Sequence, residues 1–278
     1  MTGSAWRGMR LSILHRTTYR YTSPVYYSIQ HLRLTPRDEP HQRTLRWRLK
    51  TPGKATAAPD AYGNVVHTLA LTHAHGDVEI EARGEVEVDA LNEGRLDEVA
   101  GGPPPLAYLA STPLTEPDDG LRDFAVRWLR GTNPHALLDF AGEVCGAIDY
   151  QAGTTEVTST AAEALKLGRG VCQDHAHVFI AACRTRGLPA RYVSGYVHPG
   201  DAPHAASHAW ADVYLRDEGW VSIDVTHRGY ASEHLCRLAV GRDYVSASPI
   251  RGVRIGGGDE ALEVRVNIRP FPFRADGE

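Results

Sequence analysis

Three residues in the second half of the chain have the side chains that thiol catalysis requires: Cys172, His208 and Asp224. Attack of a thiol on an amide needs a thiolate, an imidazole that holds and moves the proton, and usually a third group that orients the ring. These residues lie far apart in the chain. They can act together only if the fold brings their side chains to one place.

The cysteine is predicted to begin a helix. Gly168 and Gly170 precede it, and Gly187 and Pro189 follow at the distance of a helix, which is the usual start and stop pattern. The apolar residues between them repeat at helical spacing: Ala176, Phe179, Ile180 and Cys183. Cys172 therefore falls in the first turn, where unpaired backbone N–H groups and the helix dipole favour a negative charge. A thiol there is expected to lose its proton more easily than a free cysteine.

The histidine and the aspartate lie in two segments that resemble the strands of one hairpin. Residues 208–215 and 220–225 alternate polar and apolar side chains, and Arg216-Asp217-Glu218-Gly219 separates them. Side chains alternate between the two faces of a strand. His208 and Asp224 therefore share a face only if two residues directly opposite each other in the hairpin have numbers that add up to an even value. A regular four-residue loop would put them on opposite faces. We therefore predict an odd-length loop or a bulge near Gly219.

The remaining sequence divides at the Gly/Pro-rich segment 101–105. Before it, alternating segments predict an antiparallel β-sandwich-like domain over residues 1–105. The basic outer face of residues 44–50 is expected to pair with the acidic outer faces of residues 77–82 and 85–89. His73 and His75 beside a turn could bind a metal, but we interpret them as solvated loop residues.

The second part, residues 106–278, is predicted to be the catalytic domain. Apolar residues at helical spacing and capping signals predict helices near residues 121–129, 134–148 and 160–167, followed by the cysteine helix. The pattern then becomes alternating again. The final alternating segment, Glu260 to Ile268, is predicted to close an edge of this domain's sheet.

Composition limits the classes of function. The chain has 278 residues, 42% hydrophobic and 23% charged, as in a soluble globular protein, and its net charge of −4 gives no reason to expect nucleic acid or an anionic membrane as partner. No apolar run approaches a membrane span, and residues 1–10 lack the apolar segment of a signal peptide, so we expect a cytoplasmic protein. The 4 cysteines show no metal-type spacing. We predict reduced thiols and no metal or other cofactor.

Two runs around these residues resemble a known family. GVCQDHAHVFIAACRTRGLPARYVSGYV and SHAWADVYLRDEGWVSIDVTHRG are similar to the core of the bacterial transglutaminase-like superfamily, often described as candidate cysteine proteases. Residues 11–89 resemble the β-rich N-terminal domain of one bacterial branch, and residues 241–253 resemble its C-terminal pattern. The resemblance implies a papain-like core in which Cys172 is the nucleophile, with His208 and Asp224 on an antiparallel sheet, and it requires no metal. Two positions depart from the family: Val225 replaces a proline, and His175 replaces an aromatic residue.

We therefore predict an α+β thiol enzyme that acts on amide or peptide bonds of a peptide or protein substrate through a thioester. Water or an amine could resolve that thioester with the same three residues. Hydrolysis is favoured because water is the abundant acceptor. The Cys172 N–H is the first predicted oxyanion donor and Tyr150 a candidate second one. Trp210 either covers the site or fills the sheet.

Two other interpretations are open to test. Cys172, His175 and His177 are zinc-type ligands, but one helix spreads these positions around its axis, which disfavours a metal site. The alternative from another class of function is a binding module that has this fold but no enzymatic activity. It predicts a Cys172 no more reactive than Cys183 or Cys236.

Overall fold

The computed structural model describes residues 8–97, 101–198 and 206–271. The first seven residues, and most of the Pro-, Gly- and His-rich segment between His198 and Ser207, lie outside these ranges. No helix within them is long and apolar enough to cross a membrane. The described chain comprises a pair of four-stranded sheets and a unit in which helices pack on a third sheet.

Six strands cover most of the first part of the chain. They are β1 (Met9–Tyr21), β2 (Val25–Leu32), β3 (Gln42–Lys50), β4 (Ala55–Pro59), β5 (Val65–Leu71) and β6 (Val78–Val88). The two predicted acidic strands are one continuous strand, β6. Basic β3 pairs with it, so that Arg46 opposes Glu85 and Lys50 opposes Glu81. The predicted pairing of basic and acidic faces is confirmed, and opposite charges across strands stabilise it.

Five α-helices and ten more strands follow among the described residues of the second part. They are β7 (Arg95–Leu96), α1 (Asp119–Trp128), α2 (Pro134–Ala147), β8 (Asp149–Tyr150), α3 (Ala161–Leu167), β9 (Arg169–Gly170), α4 (Cys172–Thr185), β10 (Ala190–Val197), β11 (Ala206–Leu215), β12 (Gly219–Asp224), β13 (Gly229–Tyr230), β14 (Leu235–Gly241), α5 (Tyr244–Ala247), β15 (Ile250–Gly256) and β16 (Glu260–Pro270). The predicted capping box of Thr160 and Glu163 begins α3. The predicted helix at Cys172 is α4.

The last two strands return to the first part of the chain. One sheet has the order β16-β1-β6-β3 and the other β15-β2-β5-β4, and apolar residues of β2, β5 and β6 form a core between them. The prediction that residues 260–268 close an edge of the second domain's sheet is therefore wrong. Alternation predicted the strand, but an alternating pattern carries no information about which open edge the strand will pair with. The predicted boundary at residue 105 stays a prediction.

The third sheet carries the helices. Its order is β13-β12-β11-β10-β14, and β7 pairs with β12. Ala209, Ala211 and Val213 of β11 share a core cluster with Ala176 and Phe179 of α4. Residues 173–184 of α4 are all buried, not only the single predicted face, because strands lie on one side of this helix and the helices α1, α2 and α3 on the other.

Side chains of the sandwich cover β14 at the end of this sheet. The Asn64 amide donates to the Val240 carbonyl oxygen at 2.8 Å and accepts from the Val240 N–H at 2.8 Å. The Gln42 amide makes the same pair of bonds with Arg237, at 2.9 and 2.7 Å. An exposed strand edge invites pairing with other chains. Here two amides take the place of a neighbouring strand.

A buried group of charges lies at the same boundary. The Arg237 guanidinium is 1% exposed and lies 2.6 Å from Asp212 and 2.8 Å from Glu39, which belongs to the segment between β2 and β3. Arg191 also contacts Asp212, at 2.8 Å. Burial raises the pKa of Glu39, but Arg237 and Arg37 outweigh burial and hold it at about 2. The sandwich therefore contributes a carboxylate to the interior of the third sheet.

Replacing Glu39→Gln should destabilise the protein by about 2–3 kcal/mol at pH 7. This is less than the ~3–5 kcal/mol typical of a broken buried ion pair, because Asp212 still faces Arg237. The Glu39 pKa is depressed from 4.5 to about 2, so its contribution is present above pH 4.5 and disappears as the pH falls towards 2. Urea unfolding of both proteins between pH 7 and pH 3 checks this. Glu263→Gln, in an exposed pair with Arg20, is the control. An equal loss of stability in Glu263→Gln would contradict the assignment. So would a difference in unfolding free energy between wild type and Glu39→Gln that does not narrow at acid pH.

Candidate active site

Cys172 is the first residue of α4 and is half-buried. The preceding Val171 is extended and caps the helix, and the Asp174 carboxylate accepts a hydrogen bond from the Val171 N–H at 2.8 Å and from the Thr155 hydroxyl at 2.7 Å. A side chain at Gly170 would meet the same carboxylate at 2.6 Å, so the turn needs glycine there. Asp174 thus fixes the backbone that presents the thiol at the helix start.

The hairpin of β11 and β12 has the register that the sequence analysis required. Leu215 opposes Gly219 and Ala211 opposes Ile223, so opposed numbers sum to an even value and the loop has an odd length. Gly219 has a positive φ of 73°, which glycine adopts readily. Of the two predicted alternatives, an odd-length loop or a bulge near Gly219, the odd-length loop is confirmed. His208 and Asp224 are consequently diagonal neighbours on one face.

The His208 ring binds the carboxylate of Asp224. Its Nε2 lies 2.9 Å from Asp224 Oδ1, so Nδ1 is the nitrogen that remains for the thiol of Cys172. Burial lowers the pKa of this ring, but the hydrogen bonds to Asp224 and Cys172 and the charges of both residues outweigh burial and raise it to about 10. A ring in this position can hold a proton beside a thiolate and release it to a bound molecule.

A second histidine, which the sequence analysis missed, contacts the same carboxylate. His227 Nδ1 lies 2.7 Å from Asp224 Oδ2, and the His227 backbone N–H donates to Oδ1 at 3.3 Å. A turn closed by the Arg228 N–H on the Val225 carbonyl oxygen, 3.2 Å, folds His227 back over Asp224. Both imidazole contacts lower the pKa of Asp224 against the effect of its burial. The Asp-x-x-His spacing was the available signal in the sequence.

Trp210 fills the sheet and also supports the histidine. Its indole is fully buried, its Nε1–H donates to the Ser222 hydroxyl at 3.1 Å, and its ring stacks against His208 with 6.0 Å between centroids. A side chain at Gly195 would collide with the far edge of this indole. Of the two predicted roles, the structure therefore places Trp210 inside the sheet, directly against the imidazole.

Tyr150 lies near the cysteine at the surface. It is 60% exposed, and β8 places it opposite Gly170. Burial and the charge of Cys172 both raise its pKa, and its ring packs against His175 with centroids 6.1 Å apart. His175 in turn contacts the Thr226 hydroxyl at 3.1 Å and the Ile148 carbonyl oxygen at 3.0 Å. His175, which stands where the family commonly has an aromatic residue, thus forms a polar link between α4 and the turn after Asp224. The oxyanion role of Tyr150 stays a prediction.

The other cysteines have surroundings unlike those of Cys172. Burial raises the pKa of Cys183 and of Cys236 far above that of a free thiol. Burial also raises the pKa of Cys145, whose thiol donates to the Val225 carbonyl oxygen at 2.9 Å. Thiolate character is disfavoured at these three positions.

The His208, Asp224 and His227 group also has the donor types of a zinc site. Its ligand atoms lie within 4.8 Å of one another, and no other such group occurs in the part of the chain that the structure describes. Each of the two carboxylate oxygens already faces an imidazole nitrogen at hydrogen-bond distance. Hydrogen bonding through the carboxylate explains the closeness of the three side chains.

Comparisons with known proteins match both parts of the chain. The family described as the transglutaminase-like superfamily matches residues 130–225, which include Cys172, His208 and Asp224. The family described as the bacterial transglutaminase-like N-terminal region matches residues 11–87. An uncharacterized protein of Mycobacterium leprae is 31% identical, over 93% of this chain and 98% of that protein.

Two further relatives extend the comparison. A solved structure of a candidate cysteine protease from Cytophaga hutchinsonii has a TM-score of 0.77 at 20% identity and covers 96% of this chain and 92% of that chain, so it shares the fold. A protein-glutamine gamma-glutamyltransferase of Pseudomonas aeruginosa is 29% identical over 106 residues, which cover 32% of this chain and 15% of that protein.

Replacing His227→Ala should lower the free energy of unfolding by about 1–3 kcal/mol. Asp224 is 4% exposed, and the change leaves its Oδ2 without the imidazole donor. Asparagine can place an amide N–H where the Nδ1–H was, so His227→Asn should recover most of the loss. Urea unfolding measures both. His135→Ala, at an exposed position on α2, is the control; equal losses in the alanine and asparagine variants would refute a donor role for His227.

Proposed function

This chain belongs to the transglutaminase-like superfamily, and we propose that it is a thiol enzyme that hydrolyses amide or peptide bonds with Cys172, His208 and Asp224. Members of the superfamily are cysteine proteases or transglutaminase-like proteins. The observation that carries the proposal is the His208–Asp224 contact of 2.9 Å, on a ring whose pKa both Asp224 and Cys172 raise, with Cys172 at the start of a buried helix.

The first half of the proposed reaction forms a thioester. The Cys172 thiolate adds to the substrate carbonyl carbon, and negative charge develops on the carbonyl oxygen. The candidate donors to that oxygen are Tyr150 and the Cys172 backbone N–H, which as the first residue of the helix has no acceptor within it. His208 then gives its proton to the amine nitrogen as the C–N bond breaks. The amine leaves and the acyl group stays on sulfur.

The second half returns the enzyme to its starting state. Water attacks the thioester while His208 accepts a proton from it, the C–S bond breaks, and the thiolate leaves. A carboxylic acid is released and the imidazole is protonated again. Asp224 holds the ring orientation in both halves and offsets its positive charge, and His227 holds Asp224.

Transfer of the acyl group to an amine is the second candidate. One observation favours it: the partial relative from Pseudomonas aeruginosa carries the name of a gamma-glutamyltransferase. The three proposed residues perform either reaction, and only the acceptor differs. We favour hydrolysis because water is the acceptor at the highest concentration.

Iodoacetamide should label Cys172 selectively at pH 6. A free thiol has a pKa of about 8.5 and reacts little at this pH, whereas His208 keeps its proton up to about pH 10 and can stabilise a thiolate beside it. Peptide mass spectrometry should find Cys172 alkylated at least about tenfold faster than Cys145, Cys183 or Cys236. Asp224→Asn, which removes the charge that holds His208 protonated, should slow the labelling.

Circular dichroism must first show that the wild type and Asp224→Asn have the same helix content, so that the labelling rates of two folded proteins are compared. Labelling of Cys172 that is as slow as that of the buried cysteines would favour a binding module without activity. Fast labelling that Asp224→Asn leaves unchanged would remove Asp224 from the proposed set.

A peptide-library cleavage screen should give products with the wild type and none with Cys172→Ala. With any peptide found, an added primary amine such as methylamine should leave the rate of turnover unchanged, since water resolves the thioester. Liquid chromatography with mass spectrometry measures acid and methylamide products together. A rate that rises with amine, with the methylamide as main product, would establish the acyl-transfer alternative.

A further inference from the structure

A small cavity adjoins Asp224, the partner of His208. It has a volume of about 300 Å³, and we call it the histidine pocket after the polar residues that line it: His198, Asp224, His227, Tyr230, Ser232 and His234. This is the small end of the range for ligand cavities, enough for one amino-acid-sized group. Cys172 does not line it. Asp224 and His227 line it, whereas His208 does not.

Two of its histidines form a fixed pair. The rings of His198 and His234 stack with 5.7 Å between centroids, and the His198 backbone N–H donates to the His234 carbonyl oxygen at 2.9 Å. His234 Nδ1 is buried, and the described residues offer it no partner. A buried unpaired N–H is rarer than a buried unpaired acceptor, which favours the tautomer with hydrogen on Nε2. His234 then has an N–H donor available at its other nitrogen.

The charge of the wall suits an anion. Asp224 is the one acidic residue among the described residues that line the pocket. Both of its oxygens face imidazole nitrogens, at 2.9 and 2.7 Å, so its charge is already compensated. The other polar groups of the wall are imidazoles and hydroxyls. A neutral imidazole donates one N–H and a protonated one donates two, so either state can bind a carboxylate.

The position of the pocket indicates which part of a substrate reaches it. In the proposed reaction, on which this inference rests, His208 hands its proton to the leaving amine. The amine part of the substrate therefore lies on the imidazole side of the sulfur, towards Asp224 and His227. We propose that the histidine pocket binds a carboxylate on the leaving-amine part of the substrate, with the His234 imidazole as its donor.

Acceptor amines test this without knowledge of the natural substrate. The site that holds the leaving amine also holds an amine that attacks the thioester, because the two steps are the reverse of each other. p-Nitrophenyl acetate would acetylate Cys172 with release of p-nitrophenolate, and His208, which no longer faces a thiolate, then gives its proton to solvent. An amine then attacks the acetyl carbon, the C–S bond breaks, the amine proton passes to His208, and an N-acetyl product leaves.

The acceptors come in matched pairs that differ in a carboxylate. Glycine against glycinamide tests a terminal carboxylate, and glutamic acid α-amide against glutamine α-amide tests a side-chain carboxylate. With concentrations corrected to the free amine, at least one carboxylate acceptor should yield N-acetyl product about tenfold faster than its amide partner, as expected for a charge-assisted hydrogen bond. His234→Leu, which has no donor, should bring that ratio close to one, and His135→Leu on α2 should leave it unchanged.

Rate ratios near one for both acceptor pairs in the wild type, or a ratio that persists in His234→Leu, would overturn the pocket assignment. Absence of a p-nitrophenolate burst relative to Cys172→Ala would instead count against the proposed function. Binding to Cys172→Ala tests the pocket independently of turnover. Glutarate should shift the imidazole NMR signals of His234 in a saturable way while glutaramide does not, and equal shifts with both would overturn the assignment.

Discussion

Side-chain alternation in the β11–β12 hairpin is the constraint on which the candidate site depends. One register sets both faces of these strands. It places Ala209, Ala211 and Val213 of β11 under α4. On the opposite face of the hairpin it brings the His208 ring within 2.9 Å of Asp224. A slip by one residue would exchange the two faces. The small residues that let the helix pack closely and the imidazole that meets the carboxylate are therefore fixed by the same short turn at Gly219.

The sequence predicted those parts of the site that depend on local signals. The glycines before Cys172 marked the helix start. The requirement that His208 and Asp224 share one face of the hairpin predicted the odd-length loop. The class of fold was predicted correctly, with the sandwich and the helix-on-sheet core. His227 was missed because its position depends on a turn in which Arg228 has a φ of 55°, and no local pattern predicts a non-glycine residue there. The partner of β16 was missed because pairing between distant strands is decided by which edges remain open.

The sandwich takes part in the support of the candidate site. A chain of buried contacts leads from it to the imidazole. Glu39 pairs with Arg237, Arg237 lies 3.4 Å from the Ser222 hydroxyl, Ser222 accepts from the Trp210 indole, and the indole stacks on His208. Buried polar networks are costly unless every member is satisfied. The Asn64 and Gln42 amides on β14 and the charges at Arg237 thus tie the orientation of His208 to the packing of the first part of the chain.

The return of β15 and β16 to the sandwich has a consequence for how the protein matures. The inner neighbours of these strands, β2 and β1, are made first, yet their outer edges wait until the whole helical unit has left the ribosome. Closing so long a stretch of chain lowers the rate of folding, since its entropy must be lost before the pairing repays it. During that interval two long, unpaired edges are open to association with other nascent copies. The helix-on-sheet unit is in effect an insert whose own folding brings the chain's late strands back to meet its early ones.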